Sequence, residues 1–361
     1  LEIRYVGSRS NSLFRAFDFN QVNIRDSGFA ADFLRAQNNC RLQAASIGQT
    51  GLNCTDASYN PAIAGSQPLP VFAQLPFGAF LNNGTIIGQL QAGTPGQLAF
   101  IYASNGLDID DNGNGVQFKR NPFAGPVDYL TNGGRLRYNS LQVELRRRFT
   151  QGFTMQANYT FAKALTDVPE EDQNRFDPFL DIENPQLEYS RADFDRTHAF
   201  NLNAIYELPF GRGKAFFNQG GLVDALLGGY QISTIIQAAS GPPVSILDPR
   251  GTLNRTGRSG RQTALTTLNK QQIKDLIGIY RTPNGVYFIN PSVIGPDGTA
   301  TGGNVNATPE NPAFQGQVFF NVPPGQTGNL ERAFLNGPAY FTVDLGLSKR
   351  IRFTERVGLQ L

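Results

Sequence analysis

Apolar and polar residues alternate with a period of two along a series of arms, and this alternation limits the fold more tightly than any other feature. In residues 140–149, Leu141, Val143, Leu145 and Phe149 point one way, and Gln142, Glu144, Arg146 and Arg148 point the other. After the short turn Thr150-Gln151-Gly152 the pattern repeats. Phe153, Met155, Ala157, Tyr159 and Phe161 share one face, and Thr154, Gln156, Asn158 and Thr160 share the other. Each arm has the length of about 9–11 residues that a tilted membrane strand needs. Further arms bring the total to about seven, near 1–7, 139–149, 153–163, 198–208, 229–239, 340–351 and 356–361.

The connections between arms are sorted by size. Long ones (8–137, 164–197 and 241–338) alternate with shorter ones at 150–152, 210–228 and 352–355, so the two ends of the sheet differ. Outer-membrane barrels have this asymmetry, with short periplasmic turns and long external loops. The fold class expected is therefore all-β: a fragment of an antiparallel transmembrane β-barrel whose long extracellular loops contain short helices. A soluble β protein stays open as the alternative, because a sandwich strand also alternates. Residues 27–45, with Ser27 as N-cap, and residues 268–280 read as the helices, and 298–312 as a mobile loop.

Composition removes other classes. The 31 Lys+Arg and 29 Asp+Glu leave a formal charge of +2, which gives no electrostatic case for nucleic acid. One His and two Cys leave little for a zinc or iron–sulfur site. No run of about 20 apolar residues reads as a transmembrane helix. The chain opens at Leu1 in a strand-like alternation and stops inside another, so a piece of a longer protein is expected.

A few residues invite chemistry. His198 has Asp193 and Asp195 nearby in sequence but no nucleophile motif, so it is expected to hydrogen-bond where a loop enters its strand. No Gly-x-Ser-x-Gly, His-Glu-x-x-His or P-loop pattern is present, and neither an enzyme nor a cofactor is expected. Cys40 and Cys54 suit a loop-stapling disulfide in an oxidising compartment, with free thiols as the alternative. Asp108, Asp110 and Asn112 match the first half of a calcium loop, but Lys119 stands where a bidentate Glu is required, and an Asp/Asn/Gly turn explains the same residues. Glu144, Arg146, Asn158, Asn201, Asn203, Gln237 and Asp344 fall on the polar side of their arms, where a barrel lumen would place them against a solute, a plug or water. Arg146, Arg147, Arg148, Arg212, Lys214, Lys349, Arg350 and Arg352 gather at the tight-turn ends, as a solvated rim or as contacts to phospholipid headgroups. Phe149, Phe153, Phe210 and Phe353 lie at the same ends and fit an aromatic girdle.

Four segments, taken in order, resemble the Oar-like group of TonB-dependent outer-membrane receptors. They are Tyr138-Asn-Ser-Leu-Gln-Val-Glu-Leu-Arg-Arg-Arg-Phe149 with the hairpin to Tyr159-Thr-Phe-Ala-Lys-Ala164; Asp193-Phe-Asp-Arg-Thr-His198 leading to Tyr206-Glu-Leu-Pro-Phe-Gly211; Gly228-Gly-Tyr-Gln-Ile-Ser233 with Ser240-Gly-Pro-Pro243; and Pro324-Gly-Gln-Thr-Gly-Asn-Leu330 with Asn336-Gly-Pro338 and Asp344. The resemblance implies the C-terminal part of a barrel of about 22 strands, filled by an N-terminal plug and preceded by a segment that contacts TonB. No plug is expected in this chain. The implied partners are outer-membrane lipid, TonB through the missing plug region, and an unknown solute, at the bacterial outer membrane. A receptor or transporter is the first reading of function. A surface or adhesion protein on the same barrel, and a secreted soluble carbohydrate-binding β protein, are the alternatives.

Overall fold

The computed structural model describes residues 1–168, 178–255, 262–352 and 358–361. Seven strands form one antiparallel meander in chain order: β1 (Glu2–Asp18), β2 (Asp128–Thr150), β3 (Phe153–Thr166), β4 (His198–Glu207), β5 (Tyr230–Ala239), β6 (Tyr340–Arg352) and β7 (Gly358–Gln360). Ser190–Arg191 adds a short piece to the free end of β3. The described residues contain fourteen strands, not about seven, because short pairs inside the long connections add to the arms seen in sequence. The sheet is open and does not close into a barrel. No described helix is long and apolar enough to cross a membrane.

Local chemistry accounts for the sheet. Gln151 (φ 53°) and Gly152 (φ 77°) both take left-handed backbone, as a two-residue hairpin turn requires, and Thr150 pairs with Phe153 across it. β1 and β2 run farther than the arms 1–7 and 139–149, out to Asp18 and Asp128, which shortens the first long connection to 19–127. The extension escapes the alternation because the register shifts between Ser10 and Leu13 and again between Leu13 and Arg15. Gly134 reads as a loop residue but belongs to β2: a Cβ there would meet Val168 at 2.4 Å and the carbonyl of Leu13 at 2.9 Å.

The main hydrophobic core lies in the connections and not on the sheet. Phe29, Phe33, Leu90, Leu98, Tyr102 and Phe118 are buried together, joined by Leu253 from the third long connection. A smaller cluster gathers Ile273, Val293, Phe319 and Leu335. The helices are α1 (Phe29–Ser46), α2 (Gly84–Ala92), α3 (Pro95–Ser104), α4 (Leu222–Leu227) and α5 (Lys270–Asp275). Gly28, not Ser27, takes the N-cap position of α1, and the Ser27 hydroxyl one residue earlier accepts the Phe29 N–H at 3.3 Å. The second expected helix is shorter than 268–280, since residues from Ile277 turn into a strand paired with Gly285–Ile289. α2, α3 and α4 are not among the helices expected from the sequence. α2 has a signal nonetheless: Asn83 accepts the Thr85 N–H at 2.8 Å. Asn83→Ala is expected to lower the stability of this helical body by about 1 kcal/mol in denaturant melts.

Candidate functional site

The register sorts the sheet into two unlike faces. One face is mainly apolar: Tyr159, Phe200, Ala238 and Phe341 form one cross-strand row, Leu145, Ala157, Leu202, Ile236 and Val343 the next, with Thr234 and His198 as polar exceptions in other rows. Phe341, Leu345 and Leu347 on this face are 65–73% exposed, a contiguous apolar surface that water does not favour.

The opposite face is polar, and it brings all seven sequence-chosen polar residues into two adjacent rows. Glu144, Asn158, Asn201 and Gln237 are successive partners across four strands, ending on Thr342. Arg146, Gln156, Asn203, Ile235 and Asp344 form the neighbouring row. The two rows offer carboxylate, guanidinium and amide groups side by side. Gln156 was not singled out in sequence, yet its amide donates to Glu144 at 3.0 Å. Arg4 also reaches Glu144, at 3.4 Å. Gln156 had a signal in its polar place in the alternation; Arg4 had none, because its partner lies more than a hundred residues away.

At the long-loop end the three long connections knit into one cap. The N–H groups of Gly96 and Gln97 donate to Gly251, and Asn254 and Gln21 both donate to the carbonyl of Phe179. Buried ion pairs tie this cap to the strand ends. Asp195 accepts from the Ala164 N–H at 2.7 Å and from Arg191 at 2.6 Å, and Arg191 continues to Thr197 and Asn336, each at 2.6 Å. Glu188 is 2% exposed, accepts the Leu180 N–H and lies near Arg15 and Arg332. His198 lies on the apolar face, its Nδ1 2.7 Å from the Tyr159 hydroxyl and its ring against Phe161.

Cys40 and Cys54 form a disulfide, with Cα atoms 5.1 Å apart, that ties α1 to the following segment. Of the residues in the calcium reading, Asp110 and Asn112 lie in one turn and Asp108 is buried. Asp110 turns its carboxylate onto the N–H groups of Asn112 and Asn114 and the Asn114 amide, closing its own turn. Those hydrogen bonds hold its pKa below the ordinary range. Asp108 is buried apart from them, and Lys119 is spent on the carbonyls of Ala103 and Ala124. No group of three His, Cys, Asp or Glu that could hold a metal exists among the described residues.

Burial raises the Asp108 carboxyl above its usual range, against smaller opposing effects from backbone N–H groups and Lys119. Its Oδ2 has no hydrogen-bond partner. A carboxyl raised on folding binds its proton more tightly in the folded state, so ionised Asp108 weakens the cap and protonation restores stability as pH falls through the raised pKa. Asp108→Asn is therefore expected to raise the melting temperature at pH 7, with the gain shrinking as pH falls through the raised pKa and vanishing only below the ordinary carboxylate range.

At the tight-turn end, Phe153 packs edge-on to Tyr206 with centroids 6.1 Å apart, and Phe210 packs against Phe216 and Phe217. Phe353 and the side chain of Arg352 lie outside the described residues.

A family model described as "Outer membrane beta barrel domain" matches residues 1–361. No curated protein and no solved structure matches the chain. The apolar sheet face, the meander and the sorted connections agree with that family, and the secreted soluble alternative falls away. The chain belongs to the outer membrane beta barrel domain family, and it is an outer-membrane protein.

Proposed function

We propose that this chain is the barrel part of a TonB-dependent receptor that binds a solute at its long-loop cap and passes it through a plugged lumen, with no covalent chemistry. The observation that carries the reading is the pair of polar rows. With the apolar face against lipid, Glu144, Asn158, Asn201 and Gln237 and the neighbouring Arg146, Asn203 and Asp344 line the lumen, in reach of a solute or a plug. The order of the four family-like segments supplies the TonB assignment. The knitted cap suits capture, since it orders the loops before a ligand arrives and so lowers the entropic cost of binding.

The test is binding of the complete protein, in detergent, to the periplasmic domain of TonB. Saturable binding that is lost when the segment preceding the barrel is removed is the expected result. Absence of binding, together with loss of cell adhesion in a strain lacking the protein, overturns the reading in favour of a surface protein on the same barrel.

A further inference from the structure

We infer that the connection between β4 and β5 is a membrane anchor that holds the phosphate of a phospholipid headgroup at the tight-turn end of the sheet. The inference stands on the outer-membrane barrel family and is independent of TonB. Along the apolar face, the row of Tyr206, Ile232 and Leu347 is followed toward this end by the pair Tyr230 and Lys349. The Lys349 ammonium sits 4.5 Å over the Tyr230 ring and donates to the Leu226 carbonyl at 2.7 Å. That bond pins α4 to the rim of the lipid-covered face.

α4 buries none of its own residues: Leu222 is 81% exposed and Leu226 66%. Just before it, Phe216 and Phe217 are more than half exposed, and Phe217 holds a φ of 55°. A bulky residue in that region is strained, and the Phe217 ring, held on one side by Phe210, leaves its other side open beside α4. A lipid interface is such a surface, because it takes leucine and phenylalanine on one side and water on the other.

The charges complete the match. Arg212, Lys214, Lys349 and Arg350 line a cleft of about 550 Å³ together with the carboxylates of Glu207 and Asp224. Glu207 is spent on Lys214 at 2.7 Å, and Asp224 accepts the backbone N–H of Arg212 at 2.7 Å. Arg212 and Arg350 have no ion pair among the described residues, and both line this cleft at the rim, Arg212 from the connection itself and Arg350 from the polar side of β6, next to Lys349 on the lipid side. Guanidinium groups take phosphate oxygens in pairs. Positive charge over inserted apolar side chains, continuous with the sheet's lipid face, identifies a phospholipid as the occupant.

Two measurements on the complete protein test this. Leu222→Trp, in vesicles of phosphatidylglycerol mixed with phosphatidylcholine carrying bromine on its acyl chains, is expected to lose about half of the added tryptophan emission. Quenching only by aqueous acrylamide, which places the helix in water, overturns the inference; so does shielding from both quenchers, which places a protein segment over it. In native mass spectrometry, Arg212→Gln with Arg350→Gln is expected to weaken phosphatidylglycerol retention by about ten- to thirtyfold, at about 1 kcal/mol for each cation near an anionic surface. This pair leaves the Lys349 bond to α4 intact. Unchanged retention by a variant that keeps wild-type circular dichroism also overturns the inference.

Discussion

Asp195→Ala is expected to loosen the loop cap by about 3–5 kcal/mol, because it leaves the nearly buried Arg191 guanidinium without its carboxylate. Asp195 is 2% exposed and accepts the Ala164 N–H at the end of β3. Removing it strands a charge and a backbone donor together. Arg191 reaches Thr197 beside β4 and Asn336 in the third connection, so the effect spreads over two loops that are distant in sequence. Hydrogen exchange at Ala162, Ala164 and Ala192, whose N–H groups all bond within this clasp, is expected to quicken by about two to four orders of magnitude. Asp195→Asn keeps an acceptor for Ala164 while losing the charge, and is expected to fall between the two. Exchange in Asp195→Ala that matches the unsubstituted protein would show that the remaining Arg191 contacts carry the clasp alone.

What could be read from the sequence follows from what each feature needs. The positions of the central arms need only local alternation, and the hairpin at Gln151–Gly152 fixes its register by itself. The polar rows need the pairing of strands joined by long connections, such as β5 with β6 across residues 240–339, and no local signal gives that register. Membership of Asn201 and Gln237 in a polar face was legible; their lying opposite one another was not. The cap was the least legible part. α3 shows little amphipathic pattern because it is apolar on most sides, with Leu98, Ala99 and Tyr102 all buried, and a helix enclosed by its neighbours loses the periodicity that reveals surface helices. Asp195 stands out in sequence beside His198, but its partner Arg191 does not, since a buried pair four residues apart looks like any charged loop until burial is known.

The assignment of the two faces makes the second large prediction. Val343 lies in the middle of the five rows of the mainly apolar face that run from Phe161 and His198 at the cap end to Phe153 and Tyr206 at the other, with Ile236 as its partner on β5. If lipid covers this face, an arginine there sits near the bilayer midplane and Val343→Arg costs about 2–4 kcal/mol. Asn201 lies one step along the sheet and on the opposite face, between Asn158 and Gln237. In a wet lumen, Asn201→Arg keeps its charge hydrated, and its cost is expected to stay below about 1 kcal/mol. Reversible guanidinium unfolding of the complete protein in vesicles measures both, and Val343→Leu controls for packing alone. The contrast does not depend on what the protein transports, because it rests only on which side chains face hydrocarbon. A larger cost at Asn201 would mean that the sheet is turned the other way, and equal costs would mean that the two faces do not divide lipid from lumen; either result overturns the assignment of the polar rows to a lumen.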